Sequence, residues 1–481
     1  MIFPSYIFIF VFLPIVLVVW YSGFPFYFRL SILMIASYIF YGWWDYRFVS
    51  LLLATTVVDY FCGGAIAKTR EPRRRKLYLA ISIVFNLTLL GFFKYYDFFI
   101  GSVNATLSNL GMHANLPLLG LILPLGISFY TFKSISYSYD IYRGDAEPAP
   151  DIMHFAAFIA LFPELVAGPI VRYGALASQL KHLSTNRVTL NQFTNGVWIF
   201  VLGLSKKLLI ADRVAPLADR LFDGTGPMQA GAAWCGSLAY TIQLYFDFSA
   251  YSDMAVGLGL MLGFRFPLNF LSPYKAASIA DFWNRWHITL SHFMRDYLFI
   301  PLGGSRGRLR KVVRNLFVTM FLGGLWHGAA WTFVVWGLYQ GALLAVNALW
   351  RQASRWRLPH LLAVAVTFFA VHMGWVLFRA PNFERAAAIY RGLFGLNGVE
   401  PLFEMGVISQ TFGALPRLVD IAGGTESAFL MLVALTLVFC APNAESLPRR
   451  FGVATGVAFG LLAMLCIGSL GKDTPFIYFQ F

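Results

Sequence analysis

A histidine inside an apolar stretch is the residue best placed for chemistry. His327 lies in the segment GGLWHGAAW, within the apolar run 315–350. An ionisable side chain at membrane depth is costly and therefore rare, and it usually has a functional role. Burial keeps an imidazole neutral, so it can accept a proton from a hydroxyl group. We predict that His327 is a general base; a histidine hydrogen-bonded between packed helices is the alternative.

A second histidine lies in the segment DFWNRWHITLSHFMRDYLFIPLGGS at 281–305. Helical periodicity divides this segment into two stripes, a polar one with Arg285, His292 and Asp296 and an apolar one with Trp283, His287 and Met294. The pattern predicts an amphipathic helix with His292 on its solvated face. For His287, a functional role and a packing role both remain open.

Two other patterns could indicate catalytic or polar sites, a match to a hydrolase motif and a pair of aspartates among aromatic residues. Residues 303–307 match the hydrolase motif GxSxG, but that motif needs a strand, a sharp turn and a helix. Here it follows a predicted helix and opens a basic loop, so no serine nucleophile is predicted. Asp247 and Asp253 lie among aromatic residues, where structural hydrogen bonding and the lining of a polar cavity are both open.

These residues must be positioned by a strongly apolar chain. Of 481 residues, 58% are apolar and 12% are charged, whereas soluble domains have about 45–50% and about 25%. The composition excludes a soluble globular or disordered chain and indicates an all-α polytopic integral membrane protein. The four cysteines form no CxxC pair, and the two candidate histidines have no carboxylate at metal-ligand spacing. No metal site is predicted.

Apolar runs recur along the chain, among them 195–212 and 407–421, and predict about 11 membrane spans, with a few partial or re-entrant helices. The net charge of +14 is typical of basic cytoplasmic loops in such a protein, so no nucleic-acid partner is predicted. The first apolar run has no basic region before it and no cleavage site, so it is read as a span. The chain is then multi-pass and embedded in membrane lipid.

Basic loops orient the chain. The loop 68–76 (KTREPRRRK) is expected in the cytoplasm. Three predicted spans precede it, so the N-terminus is expected on the opposite side, in the periplasm. The basic clusters 306–314 and 351–357 are also expected in the cytoplasm. Because both flank 315–350, that run must enter the membrane and return as a tight hairpin. Gly323, Gly324 and Gly328 would allow its two helices to pack closely.

The chain resembles the membrane-bound O-acyltransferase (MBOAT) superfamily, in the bacterial branch that O-acetylates alginate and other extracellular polysaccharides. The resemblance rests on four segments: 162–173 (FPELVAGPIVRY), 243–253 (QLYFDFSAYSD), 282–304 (FWNRWHITLSHFMRDYLFIPLGG) and 323–341 (GGLWHGAAWTFVVWGLYQG). It implies one membrane domain over 1–481, a ring of helices around a central funnel. Within it we distinguish N-terminal helices (1–150), catalytic motifs (151–350), C-terminal helices (351–471) and an aromatic tail (472–481).

The resemblance also implies roles for individual residues. His327 matches the histidine required for activity and His287 the second site residue. Five neighbours are expected to bind or support the substrate, namely Trp326, Asn284, Trp286, Arg295 and Asp296. No cofactor is expected to stay bound, and acetyl-CoA or another acyl thioester would be the donor substrate.

The implied activity is a relay between two proteins. The membrane protein, in the cell inner membrane, would take an acetyl group from a cytoplasmic thioester. A periplasmic SGNH-hydrolase-like acetyltransferase, with polysaccharide assembly proteins, would then esterify a polymer such as alginate. Transfer of D-alanyl groups, or transfer to peptidoglycan, is the alternative within the family. A transporter or flippase is the alternative class, but the sequence shows no internal repeat of the kind that many transporters have.

The last residues, TPFIYFQF, are unusually aromatic for a free end. Anchoring at the membrane interface would explain them. The alternative comes from their resemblance to the C-terminal peptide of small helper proteins in D-alanylation systems. On that reading Tyr478 folds back towards His327 and carries the acyl group transiently, since a phenol is a better leaving group than a sugar alkoxide.

Overall fold

Helices make up the regular structure in a computed structural model of the protein. The structure describes residues 1–112, 115–166, 168–185, 188–354, 356, 358–399, 425–443, 452–471 and 476–477, and these contain no strand. The all-α prediction is confirmed for them. The predicted apolar run 407–421 and the basic residues Arg355 and Arg357 lie outside the described residues.

Twenty α-helices are described. They are α1 (Leu13–Trp20), α2 (Phe26–Gly42), α3 (Val49–Lys68), α4 (Pro72–Leu90), α5 (Tyr96–Asn109), α6 (Ile127–Arg143), α7 (Ile152–Ala160), α8 (Phe162–Leu165), α9 (Tyr173–Thr185), α10 (Leu190–Ser205), α11 (Asp212–Phe222), α12 (Ala230–Leu262), α13 (Ile279–Trp283), α14 (Ile288–Met294), α15 (Leu309–His327), α16 (Trp331–Ala353), α17 (His360–Arg379), α18 (Phe383–Leu393), α19 (Thr425–Cys440) and α20 (Val453–Gly468). Short π-helical turns lie at Phe8–Phe12, Gly91–Tyr95, Lys206–Ala211 and Arg295–Phe299.

Five of the described helical stretches are long and apolar enough to cross a membrane. They are Tyr46–Lys68, Pro72–Asn109, Leu190–Phe222, Trp331–Ala353 and His360–Arg379. Shorter apolar helices accompany them at Phe8–Trp20, Phe26–Gly42, Phe429–Cys440 and Thr455–Gly468. These lengths support a multi-pass protein, while the predicted count of about 11 spans and the ring around a funnel stay predictions.

The chain forms two compact units. The first comprises Met1–Phe200 and Tyr251–Leu268. Its helices α3, α4 and α6 pack together around a buried carboxyl group, because Asp59 accepts hydrogen bonds from Ser82 (2.5 Å) and Asn86 (2.8 Å). Such buried polar groups need internal partners where no water reaches them.

The second unit comprises Val201–Ala250 and Asn269–Phe481, and it holds both candidate histidines. Its centre is the antiparallel hairpin of α15 and α16, as predicted for 315–350. The two helices are in close contact at Gly324 and Gly337, where a methyl group built on Gly324 would lie 2.9 Å from the Gly337 Cα. Only glycine permits that approach. Of the other predicted packing glycines, Gly328 lies under the Phe333 ring, and Gly323 faces a cavity.

Candidate active site

His327 is the last residue of α15, at the turn of the hairpin. It is 4% exposed and aromatic rings surround it. The centroid of its imidazole lies 4.9 Å from the Trp326 ring, 5.1 Å from the Trp336 ring and 5.1 Å from the Phe378 ring. The hairpin turn and α17 therefore hold the imidazole in an apolar enclosure, as a buried general base requires.

A cavity of about 400 Å³ runs along the hairpin to His327. On α15, the cavity is lined by Val312, Thr319, Gly323 and His327. Their spacing places these residues on one face of the helix. On α16, the cavity is lined by residues between Trp336 and Arg351. Fifteen residues separate Val312 from His327, so the cavity follows about 22 Å of helix. One end carries Arg351 and the other carries the imidazole.

The segment that carries His287 differs from the prediction. A single amphipathic helix over 281–305 is wrong, because the chain leaves α13 after Trp283 and re-enters a helix only at Ile288. His287 itself has φ +44°, in the left-handed region that non-glycine residues rarely adopt. Helical periodicity could not show this break, since a residue outside the segment holds it: the Ile288 N–H donates to the Asn269 carbonyl (2.9 Å).

The Asn269 side chain fixes the proton on His287. Its Oδ1 accepts from the Thr289 N–H (3.3 Å) and the Thr289 hydroxyl (3.0 Å), which identifies it as the oxygen. The same oxygen lies 3.0 Å from His287 Nδ1, so Nδ1 must carry the hydrogen and Nε2 is the basic nitrogen. His287 is fully buried outside the candidate spans, and burial lowers its pKa to about 3. The ring is therefore neutral at physiological pH.

Trp326 links the two histidines. The centroid of its ring lies 6.1 Å from that of His287 and 4.9 Å from that of His327. Residues 40 positions apart in the sequence thus share one indole. Of these three residues, His327 lines the cavity, while His287 and Trp326 do not.

The other predicted site residues divide into two groups. Asn284 and Arg295 line the cavity, and Arg295 forms an ion pair with Asp296 (2.7 Å). Trp286 does not line it: its ring packs on Trp375 with centroids 4.9 Å apart. The exposed side chain of His292 agrees with its predicted solvated face. Tyr478 lies outside the described residues.

A buried ion-pair network was not predicted. Lys207, in a π-helical turn, lies 2.8 Å from carboxylate oxygens of both Asp212 and Asp247. The second oxygen of Asp247 accepts from the Ile477 backbone N–H (2.8 Å). Asp247 therefore ties α12 to the last described residues of the chain, which decides its open role in favour of structural pairing. A lysine inside the apolar run 195–212 was the signal that could have found it.

The end of the described chain comes close to His287. Phe476 and Ile477 are buried, and the Phe476 ring lies 5.8 Å from the Phe248 ring. Phe248 in turn packs edge-on against His287, with centroids 4.7 Å apart. The Phe248 ring thus links Phe476, two residues before Tyr478, to His287.

No group of three or more His, Cys, Asp or Glu residues that could hold a metal ion occurs in the described part of the chain. The polar groups that line the cavity include imidazole, amide, hydroxyl and guanidinium groups. These can donate hydrogen bonds to acyl or phosphate oxygens.

Comparison with known proteins identifies the family. The model of the membrane-bound O-acyltransferase family (MBOAT) matches residues 145–378, which include both histidines. A "Probable alginate O-acetylase AlgI" of Pseudomonas aeruginosa is 46% identical over 91% of this chain and 81% of its own length. The protein so named in Pseudomonas putida is 40% identical over 100% of both chains. A "Peptidoglycan O-acetyltransferase" of Helicobacter pylori is 36% identical over 100% of this chain and 98% of its own.

The chain belongs to the membrane-bound O-acyltransferase family. It is therefore a multi-pass membrane enzyme that transfers acyl groups to oxygen, and the resemblance seen in its motifs is confirmed. In this MBOAT protein the cavity, the two histidines and the shared tryptophan all belong to the second compact unit.

The buried, neutral state of His287 predicts a pH-dependent stability. Its folded-state pKa of about 3 lies below the ordinary value of 6.5, so the unfolded state binds more protons between these values. Its contribution to stability is complete above pH 6.5 and is lost as the pH falls towards 3. Replacing His287 by Asn removes this contribution, and Asn tolerates a positive φ.

We expect the free energy of unfolding of the wild type in detergent to fall more steeply than that of His287→Asn below pH 6.5. The extra slope approaches about 1.4 kcal/mol per pH unit. Denaturation at several pH values measures it, and equal slopes for the two proteins would contradict the assignment of a neutral, buried His287.

Proposed function

We propose that this enzyme takes an acetyl group from acetyl-CoA in the cytoplasm and relays it across the inner membrane for O-acetylation of an exopolysaccharide such as alginate. The cavity between Arg351 and His327 is the observation that carries the proposal. A CoA thioester is a long flexible arm with phosphates at one end and the acyl group at the other. The Arg351 guanidinium at one end can bind the phosphates. Apolar side chains along the cavity can pack against the flexible arm. The acyl group at the end of the arm would then lie beside His327.

The sidedness follows from the basic residues. Arg351 and the cluster 306–314 lie at the end of the hairpin away from its turn, and basic segments favour the cytoplasmic side. A donor entering there would reach His327 from the cytoplasm. The inner-membrane location and the periplasmic N-terminus expected from the sequence are part of this proposal.

The chemistry of the step assigns the proton and the leaving group. His327 takes the proton of an attacking hydroxyl as its oxygen adds to the thioester carbonyl carbon. The carbon–sulfur bond then breaks, an oxygen ester is left, and the imidazolium returns the proton to the departing thiolate. His287 and Trp326 would orient the acceptor, since the Trp326 ring packs near both imidazoles and neither residue is taken up by the cavity lining.

The acetyl group is favoured by the names of the relatives, which are an alginate O-acetylase and a peptidoglycan O-acetyltransferase. The polymer is proposed to be an exopolysaccharide because relatives named for alginate are 40% and 46% identical, against 36% for the one named for peptidoglycan. Transfer of D-alanine from a carrier-protein thioester is the alternative, and it would use the same cavity and base.

The acceptor is proposed to be reached through the C-terminal tail. Phe476 and Ile477 are anchored beside Phe248 and Asp247, which supports a position of Tyr478 close to the histidines. Acetyl-tyrosine would then pass its acetyl group to a periplasmic SGNH-hydrolase-like acetyltransferase that works with polysaccharide assembly proteins.

Replacing His327 by Ala is expected to lower the rate of acetyl transfer by about 10²–10⁴-fold, because the general base is lost. The measurement uses purified enzyme with radiolabelled acetyl-CoA and follows free thiol and acetylated protein. His292→Ala is the matched control, since His292 is an exposed histidine of the same unit, and it should retain the wild-type rate. A folded His327→Ala protein with more than about half of the wild-type rate would contradict the role.

Replacing Tyr478 by Phe is expected to abolish polymer acetylation while leaving the protein folded, because the phenol oxygen that would carry the acetyl group is lost. Mass spectrometry of the C-terminal peptide, after the wild type has reacted with acetyl-CoA, should find an acetyl group on Tyr478. Normal polymer acetylation by Tyr478→Phe would show that the tail is only an anchor.

A further inference from the structure

Two buried tryptophans of the cavity wall lack hydrogen-bond partners. Trp336 is 1% exposed and Trp283 is 9% exposed, and both line the cavity that ends at His327. Neither indole Nε1 has a partner among the described residues. An indole N–H is a donor only, and leaving it buried without an acceptor is unfavourable. Such exceptions call for a reason.

Three other tryptophans of the described chain, the buried Trp375 and Trp20 and the half-buried Trp234, have hydrogen-bond partners. Trp375 Nε1 donates to the Tyr274 hydroxyl (3.1 Å), Trp234 Nε1 to the Leu393 carbonyl (3.0 Å) and Trp20 Nε1 to the Leu262 carbonyl (2.9 Å). Trp375 even packs against Trp336, with ring centroids 5.9 Å apart. The missing partners of Trp336 and Trp283 are therefore not a general property of the aromatic cluster.

The two indoles also lie next to the base and to each other. The Trp336 ring lies 5.1 Å from the His327 ring and 6.1 Å from the Trp283 ring. An acyl carbon attacked by a hydroxyl that His327 deprotonates must lie within a few ångströms of that imidazole. Its carbonyl oxygen becomes negatively charged on attack and needs donors that are already in place.

We propose that the indole N–H of Trp336, supported by that of Trp283, donates to the carbonyl oxygen of the bound thioester and stabilises the oxyanion. This rests on the proposed function, because it takes the thioester as the ligand of the cavity. The attacking oxygen forms the new C–O bond, the C–O double bond becomes a C–O⁻ held by the two indoles, and its collapse breaks the C–S bond. The two tryptophans touch the reacting atoms and are catalytic residues.

The test compares matched Trp→Phe variants. Trp336→Phe and Trp283→Phe remove an N–H that has no acceptor among the described residues, whereas Trp375→Phe removes the same atoms from an indole that donates to the Tyr274 hydroxyl. For acetyl-CoA cleavage, we expect kcat to fall by about 10²-fold in Trp336→Phe, less in Trp283→Phe, with KM nearly unchanged. Trp375→Phe should keep the wild-type kcat. A similar loss in Trp375→Phe would assign the effect to packing and overturn the proposal.

A substrate analogue adds a readout that packing alone would not move. In the dithioester analogue of acetyl-CoA, sulfur replaces the carbonyl oxygen and accepts hydrogen bonds poorly. The rate penalty for this replacement should be smaller in Trp336→Phe than in the wild type, because the two changes remove the same interaction. Equal penalties would contradict the contact.

The outcomes also separate this inference from the proposed function. If the wild type cleaves acetyl-CoA and Trp336→Phe does so at the same kcat, the oxyanion role is wrong and the donor assignment stands. If the wild type cleaves no acetyl-CoA, the donor assignment is wrong and the oxyanion role falls with it.

Discussion

The close approach of α15 and α16 is the constraint on which the site depends. Gly324 and Gly337 bring the two backbones together, and the turn that follows places His327 among three aromatic rings. The same hairpin forms one wall of the cavity between His327 and Arg351, and residues of the segment 280–305 form the other. The packing of α15 on α16 therefore positions both the buried histidine and one wall of the cavity. A side chain at either glycine would separate the helices and disturb both features together.

Trp326 packs between the rings of two histidines with different surroundings. His327 lines the cavity together with Trp336 and Trp283, the indoles proposed to hold the thioester carbonyl. His287 does not line the cavity: burial keeps it neutral, Asn269 accepts its Nδ1 proton, and its ring packs on Phe248, against which Phe476 packs. The Lys207–Asp247 network anchors the next residue, Ile477.

The sequence predicts the helical class and the hairpin, because both depend on local features such as apolar periodicity and basic flanking loops. The roles of His327 and His287 stay predictions. Prediction from the sequence fails where distant residues decide. The break before His287 depends on Asn269, and the pairing of Lys207 with Asp247 joins residues far apart in the chain. The oxyanion role proposed for Trp336 was not predicted either, because the sequence cannot show whether an indole N–H has an acceptor. Each of these features is a tertiary one.

The central claim is that the cavity holds the thioester with its carbonyl beside His327. A structure of the enzyme with a stable acetyl-CoA analogue, in which a methylene group replaces the thioester sulfur, tests it most directly. We expect the carbonyl oxygen within hydrogen-bond distance of Trp336 Nε1, the carbonyl carbon next to the His327 imidazole, and the phosphates towards Arg351. An analogue bound outside this cavity, or in it with the phosphates at the His327 end, would contradict this placement of the donor.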